Sequence, residues 1–145
     1  MTTPVLQSAI VEGDILTLTY NDLLDEGSQP ASCYFQVNVN GQNRSVANLS
    51  INGNTVILSL NASVSNGDTV TFNYSDPSAS NDTYAIQNLA GEDAANLTNQ
   101  AVTNATSGGV DITAPSLVSA SFSETINSLI TLTFNESMQM AAGNV

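Results

Sequence analysis

With 145 residues, 41% of them hydrophobic and 10% charged, the chain is long enough for one domain with a packed core and part of a second. Thirteen acidic residues stand against a single basic one, Arg44, and the formal net charge is −12. This balance argues against nucleic acid and anionic membranes as partners, because binding either needs several Lys or Arg side chains. The charged partners it favours are cations.

Missing residue types exclude several chemistries. The chain has no His, which excludes Ser–His and Cys–His relays and an ordinary zinc site. It has no Lys, which excludes Schiff-base chemistry. The single cysteine, Cys33, cannot form an intrachain disulfide, and its alternation with Phe35, Val37 and Val39 predicts a small buried side chain on an inward face. We therefore expect a protein without enzymatic activity.

The sequence predicts neither a membrane span nor a leader. No apolar run approaches the roughly 20 residues of a membrane helix, so we do not expect membrane insertion. The residues after Met1 lead directly into strand-like sequence and do not resemble a signal peptide. We expect either a segment of a longer protein or export without a leader.

The first hundred or so residues predict short strands separated by turns. Residues 4–11 indicate an edge strand, because Pro4 is tolerated at a strand start. Residues 15–21 alternate apolar and polar side chains with the period of a half-buried strand. A loop at 22–30 follows. The remaining predicted strands are 33–39, 42–50, 55–60, 69–74 and 97–103.

Turn signals separate these strands at short intervals. Asn40-Gly41 is a strong two-residue hairpin signal, and Asn52-Gly53 and Asn66-Gly67 mark further turns. A long acidic loop at 76–97 precedes the last strand. We predict an all-β fold, an immunoglobulin-like antiparallel β-sandwich of about seven strands.

The chain then begins a second copy of its own pattern. TPVLQSA reappears as APSLVSA, and LTLTYND reappears as ITLTFNE. Two strands cannot bury a core alone, so this fragment must pack on the first domain, pair with another chain or belong to a domain cut short. The predicted parts are a complete repeat at 1–107, a linker at 108–113 and a partial second repeat at 114–145.

Three stretches carry a family resemblance. They are LTLTYNDLLDEG, FQVNVNGQNRSV and GDTVTFNYSDPSASNDTYAIQNLAGEDAANLTNQAVTN. Together they resemble the tandem repeat of the giant cyanobacterial cell-surface protein required for swimming, the SwmB-type repeat, whose wider relatives are bacterial Ig-like domains of surface-layer and adhesin proteins. The resemblance covers residues 3–106, and the start of a second copy covers 111–145. It implies a non-catalytic β-sandwich module repeated in large extracellular proteins.

The acidic residues suggest a metal site. If the strands alternate in direction, the loops at 22–30 and 76–97 lie at the same end of the domain. Carboxylates that lie close together repel one another unless a cation or a proton relieves them, and Ca²⁺ takes six to eight oxygen ligands from such flexible loops. We expect calcium ligands among Asp22, Asp25, Asp76, Asp82 and Asp93.

A second calcium position would lie between the copies. Asp111 falls in the predicted linker, and Glu136 aligns with Asp22 at the corresponding end of the second repeat. A cation held by both would stiffen the junction. No EF-hand or glycine-rich nonapeptide pattern is present.

Three functions remain open. The first is a calcium-stiffened spacer repeat of an extracellular surface protein, with neighbouring repeats as its partners. The second is a subunit that assembles with copies of itself through strands at 114–122 and 129–135, forming a filament or a decoration on a cell or virion surface. The third is an adhesin domain that binds surface glycans through the loops at 22–30 and 76–97.

Overall fold

The computed structural model describes residues 2–108, 114–123 and 129–136. The chain divides into a first unit, Met1–Gly108, and a second unit, Gly109–Val145. Within the described residues all regular structure is β-strand apart from one short 3₁₀ turn, Ser32–Tyr34. The predicted all-β class is confirmed.

The first unit is built around one continuous sheet, whose strands follow the order β4-β3-β7-β8-β1-β2-β6-β5. Neighbouring strands are antiparallel except β1 and β8, which pair in parallel. A two-layer, immunoglobulin-like arrangement stays a prediction. The strands are β1 (Leu6–Glu12), β2 (Ile15–Tyr20), β3 (Phe35–Val39), β4 (Gln42–Arg44), β5 (Val46–Asn52), β6 (Thr55–Leu60), β7 (Val70–Tyr74) and β8 (Leu97–Asn104).

Strict alternation of apolar side chains builds the core. In β2, for example, Leu16, Leu18 and Tyr20 are buried while the residues between them are more exposed. The same pattern holds in β3, β6 and β7, as the sequence predicts. Each fully buried Val, Leu or Phe contributes about 1.5–3 kcal/mol relative to exposure, so this face dominates the stability of the unit.

The hairpin between β3 and β4 forms where the sequence predicts it. Asn40 and Gly41 have φ values of 52° and 78°, the left-handed conformations that a two-residue hairpin turn requires and that these two residue types tolerate best. The predicted partner strand at 42–50, however, is interrupted at Ser45. Its first part pairs with β3 as β4, while its second part pairs with β6 as β5. The Ser45 carbonyl instead accepts a hydrogen bond from the N–H of Asn61 at 2.9 Å.

Two further predictions are wrong. The strand near the N-terminus is not an edge strand, because β1 lies between β8 and β2. Cys33 is exposed rather than buried. It lies in the 3₁₀ turn, and the inward alternation begins only at Phe35, so the period of the strand does not extend back to the cysteine.

The described part of the second unit is a hairpin of β9 (Leu117–Ser123) and β10 (Leu129–Phe134). It reproduces the pairing of β1 with β2 residue by residue, including a register shift at the same position. Ala120 pairs with Leu132 where Ala9 pairs with Leu18. The repeated sequence pattern therefore forms the same local structure twice.

Candidate cation-binding pole

Two loops meet at the end of the first unit where the chain enters. We call this end, formed by residues 22–30 and 75–96, the acidic pole. The backbone N–H of Asp25 donates to the Gln87 carbonyl at 2.8 Å, and Leu24 forms an isolated bridge with Asn88. The buried Ser28 hydroxyl donates to the Ala85 carbonyl at 2.8 Å. The structure thus brings the two predicted loops together.

Tyr74, the last residue of β7, holds the longer loop in place through its side chain. Its buried hydroxyl oxygen accepts a hydrogen bond from the N–H of Ile86 at 2.9 Å. The Ile86 carbonyl in turn accepts from the N–H of Ala94 at 2.7 Å. Burial of the phenol raises the pKa of Tyr74, so the hydroxyl stays neutral and keeps its place in the core. These bonds fix the core-facing side of the longer loop.

Asn88 connects the acidic pole to the start of the chain. Its side-chain amide donates to the Thr2 carbonyl and to Oδ2 of Asp22, both at 3.1 Å. Its Oδ1 accepts from the backbone N–H groups of Ala90 and Glu92. The candidate ligands expected from the sequence do not include Asn88. Its local sequence does carry a signal, because Asn followed by Leu-Ala-Gly suits an Asx turn, in which the side chain accepts a hydrogen bond from the N–H of the second residue after it.

Asp93 is the buried carboxylate of the acidic pole. Its Oδ1 accepts from Nε2 of Gln87 at 3.0 Å, and its Oδ2 accepts from the backbone N–H of Asp82 at 3.1 Å. Loss of hydration raises the pKa of Asp93, and the negative charges of Asp76 and Asp82 act in the same direction. Its hydrogen bonds oppose this shift without reversing it.

The pKa of Asp82 is shifted in the direction opposite to that of Asp93. Its carboxylate accepts hydrogen bonds from the Ser78 hydroxyl and from the backbone N–H of Tyr84. These donors favour the charged form and lower the pKa of Asp82. Asp76 accepts from the N–H of Ser78 at 3.1 Å, so both carboxylates help to shape the same turn.

Asp22 and Asp25 accept hydrogen bonds that do not involve Asp76, Asp82 or Asp93. Asp22 accepts from the N–H of Leu23 at 2.9 Å and from Asn88. Asp25 accepts from the N–H of Gly27 at 2.9 Å. The charges of Asp76 and Asp82 thus act on Asp93, and neither Asp22 nor Asp25 is among the charges that do.

The structure does not test the second calcium position predicted for Asp111 and Glu136. Asp111 lies outside the described residues, and Glu136 follows β10 in the second unit. Across residues 2–108, 114–123 and 129–136, no three acidic, His or Cys side chains converge in an arrangement that suits a metal ion. The carboxylates of the acidic pole act as hydrogen-bond acceptors for loop backbone and amide groups.

No helix in the described ranges has the length and apolar character needed to cross a bilayer.

Two solved structures share this fold. The S-layer protein rSbsC(31-844) matches with a TM-score of 0.53 and 16% identity, over 83% of this chain and 15% of that protein. The N-terminal part of the bacterial S-layer protein SbsC matches with a TM-score of 0.51 and 17% identity, over 83% of this chain and 26% of that one. The chain thus spans about a quarter or less of either S-layer structure.

Sequence comparison identifies the family. No curated protein matches the chain. The family model described as "Putative flagellar system-associated repeat" matches residues 1–79, which extend from the N-terminal end through β7 into the acidic pole. This is more than half of the sequence. The chain therefore belongs to the SWM repeat family.

Proposed function

We propose that this chain is a non-catalytic structural module of an extracellular cell-surface protein, in which such repeats act as spacers. The observation that carries the proposal is that the hairpin of the second unit repeats the pairing of the first two strands of the first unit. Membership of a repeat family and the fold shared with S-layer proteins support it. The module is proposed to be immunoglobulin-like and part of a much larger protein.

Surface exposure is the direct test of this proposal. Antibodies raised against the first unit should label intact cells that produce the protein, and protease added outside those cells should remove the signal. A cytoplasmic protein of the same cells serves as the control for lysis. Labelling that appears only after the cells are broken open would contradict the proposal.

We propose further that calcium stiffens the module at the acidic pole. Support comes from the buried Asp93 carboxylate, on which the negative charges of Asp76 and Asp82 act. Carbonyl and amide oxygens of the same loop could complete a coordination sphere of six to eight oxygens. At the junction, Asp111 and Glu136 remain proposed ligands of a second ion.

Titration calorimetry and thermal melting test the calcium proposal. Millimolar CaCl₂ should release or absorb heat and raise the melting temperature, and the shift should shrink in Asp82→Asn. Asp14→Asn is the matched control, because Asp14 lies in the turn between β1 and β2, away from the loops at 22–30 and 75–96. Absence of heat and of any melting shift at millimolar calcium would rule this part out.

A second candidate function is self-assembly through the β9–β10 hairpin. Ile130, Leu132 and Phe122 are 63%, 52% and 58% exposed. Their counterparts in the first unit are fully buried core residues, namely Leu16, Leu18 and Val11. An apolar face of this size favours a partner sheet, and a second copy of the chain would make a filament or a decoration on a cell or virion surface.

Sedimentation velocity over a wide concentration range tests self-assembly. The wild-type chain should associate as concentration rises, and Leu132→Asn should weaken that association. Thr131→Asn, on the neighbouring residue of the same strand, is the control. A monomer at every concentration would count against this function. An adhesin that binds glycans at the acidic pole is a further alternative, and silence on a glycan array would exclude it.

A further inference from the structure

We propose that the parallel pair β1–β8 carries mechanical tension between the two ends of the first unit. This inference deepens the proposed spacer function and rests on it. The chain enters beside Asn88 of the acidic pole, where the Thr2 carbonyl accepts a hydrogen bond, and leaves at Gly108, which lies against the side chain of Asn66 in the loop before β7. Since β1 and β8 both run away from the acidic pole, entry and exit lie at opposite ends.

The direction of pulling follows from this placement. A force on the two ends draws β1 toward the acidic pole and β8 away from it. The ladder that joins them, at Ile10–Thr103 and Val11–Asn104, lies across this direction. Its hydrogen bonds are therefore loaded in shear and must break together, whereas a hairpin pulled at its ends opens one bond at a time.

Additional bonds extend the β1–β8 contact past the end of the ladder. The N–H of Ala105 donates to the Val11 carbonyl at 2.8 Å. The N–H of Gly13 donates to Oγ1 of Thr106 at 2.9 Å, and Nδ2 of Asn66 donates to the Thr106 carbonyl at 2.8 Å. The departing chain is thus tied both to the first hairpin and to the loop between β6 and β7.

Asn104 is the central residue of this exit. Its Nδ2 donates to the carbonyls of Ser65 at 2.8 Å and Asp68 at 3.0 Å. Its Oδ1 accepts from the N–H of Thr106 at 3.0 Å. These bonds fix the last residue of β8 to the segment that leads into β7, so a pull on the exit cannot peel β8 away from its end.

The entry to the first unit is secured in a comparable way. The N–H of Val5 donates to Oδ1 of Asn21 at 2.7 Å, and the N–H of Asn21 donates to the Val5 carbonyl at 3.0 Å. β1 is held along its length by β2 on one side and joined to β8 on the other. Force on the first strand therefore passes into the sheet rather than stripping the strand from an edge.

The second unit provides an internal comparison. Its β9–β10 ladder is antiparallel, and tension applied through the chain pulls its two open ends apart. It should unzip at low force. Stretching the full chain should give a small extension of roughly 6 nm from the β9–β10 hairpin at low force and a larger one of roughly 35 nm from the first unit at higher force, from the extended length per residue.

Single-molecule force spectroscopy on the full chain, placed between marker domains, tests the inference. At constant force, Asn104→Ala should shorten the lifetime of the first unit about ten-fold, as expected for losing two to three hydrogen bonds from the barrier. Thr106→Val, which removes one acceptor with little change in shape, should have a smaller effect in the same direction.

Asn40→Gly is the matched control. Asn40 also donates to Asp68 and accepts from the N–H of Thr69, but it ties the β3–β4 turn to the β6–β7 loop and lies outside the β1–β8 path. Glycine accepts its positive φ. The variant should lose equilibrium stability in urea and keep the wild-type lifetime under force. Equal shortening by Asn40→Gly and Asn104→Ala would overturn the inference.

The pulling direction gives an independent check. In a Cys33→Ser background, the protein is attached through Gln42→Cys and the C-terminus. Both forces then act on the first unit at the end opposite the acidic pole, so the strands separate one hydrogen bond at a time from that end. The first unit should then yield at a lower force than when pulled through its termini. The same force in both directions would contradict the role of β1–β8. A protein that resists force but is found inside cells would overturn the proposed surface function alone.

Discussion

Asn21 and Val5 bind each other by two hydrogen bonds across the open end of the first hairpin. The side chain of Asn21 accepts from the N–H of Val5, and its backbone N–H donates to the Val5 carbonyl. Asn135 makes the same two bonds to Ser116 in the second unit, at 2.8 and 3.1 Å. An asparagine at this position therefore closes the hairpin beyond the register shift in both copies.

Replacing the asparagine in the first copy should weaken the first unit. Asn21→Ala removes the side-chain acceptor and should lower the free energy of unfolding by about 1 kcal/mol. Urea denaturation monitored by tyrosine fluorescence measures the change. Asn135→Ala is the control, because its bonds lie in the second unit. If Asn135→Ala lowers the stability of the first unit as much as Asn21→Ala does, the Asn21–Val5 hydrogen bonds do not specifically stabilise that unit.

Two buried tyrosines should respond differently to loss of their hydroxyl groups. The Tyr20 hydroxyl is buried without a hydrogen-bond partner, and phenylalanine, Phe134, stands at the corresponding position of the second unit. Tyr20→Phe should therefore leave stability unchanged or raise it. Tyr74→Phe leaves the N–H of Ile86 buried without its acceptor and should cost about 1–3 kcal/mol. Urea denaturation of the pair decides the point, and a larger loss for Tyr20→Phe would refute it.

The sequence predicts the strands well because their signal is local. Alternation with a period of two places Leu16, Leu18 and Tyr20 on one face without knowledge of any distant residue. The same local rule fails at Cys33, because this residue lies in the 3₁₀ turn and the alternation begins only at Phe35, two residues later. It also misses the break at Ser45, because residues 42–50 contain no Gly or Pro to mark the point where the pairing partner changes from β3 to β6.

The candidate site is harder to predict because its contacts are not local. The sequence indicates that the loops at 22–30 and 76–97 share one end, since that follows from counting strands. The sequence does not reveal which of the oxygen atoms in these loops accept hydrogen bonds from other parts of the chain. Asn88 binds Thr2 and Asp22, residues far away in the chain, and only the folded arrangement brings them within reach.

Asn88 should therefore be the most sensitive polar residue of the acidic pole. Asn88→Ala removes two donated and two accepted hydrogen bonds around a buried position and should cost about 2 kcal/mol. Hydrogen exchange should show faster exchange of the Ala90 and Glu92 amides. Asn81→Ala is the control, because both of its contacts are long, at 3.4 Å. Equal effects of the two variants would show that Asn88 has no special role.

Asp82 and Asp93 should give the acidic pole two opposing pH dependences. The pKa of Asp82 is lowered in the folded state by its hydrogen bonds with Ser78 and Tyr84. Its contribution to stability is therefore present above the ordinary pKa of about 3.9 and is lost as pH falls toward the folded value. Burial raises the pKa of Asp93, so its folded form retains a proton longer than the unfolded form does. That contribution is present at low pH and is lost as pH rises through the raised pKa.

Removing each charge separately should resolve the two effects. Urea denaturation from pH 3 to 7 measures the free energy of unfolding of the wild type, Asp82→Asn and Asp93→Asn. Relative to the wild type, stability of Asp82→Asn should fall less as the solution is acidified, and stability of Asp93→Asn should fall less as pH rises above 4. A constant offset in either variant reflects the lost hydrogen bonds, so the slope with pH is the diagnostic quantity. Slopes that change in the same direction in both variants would refute the assignment of opposite pKa shifts.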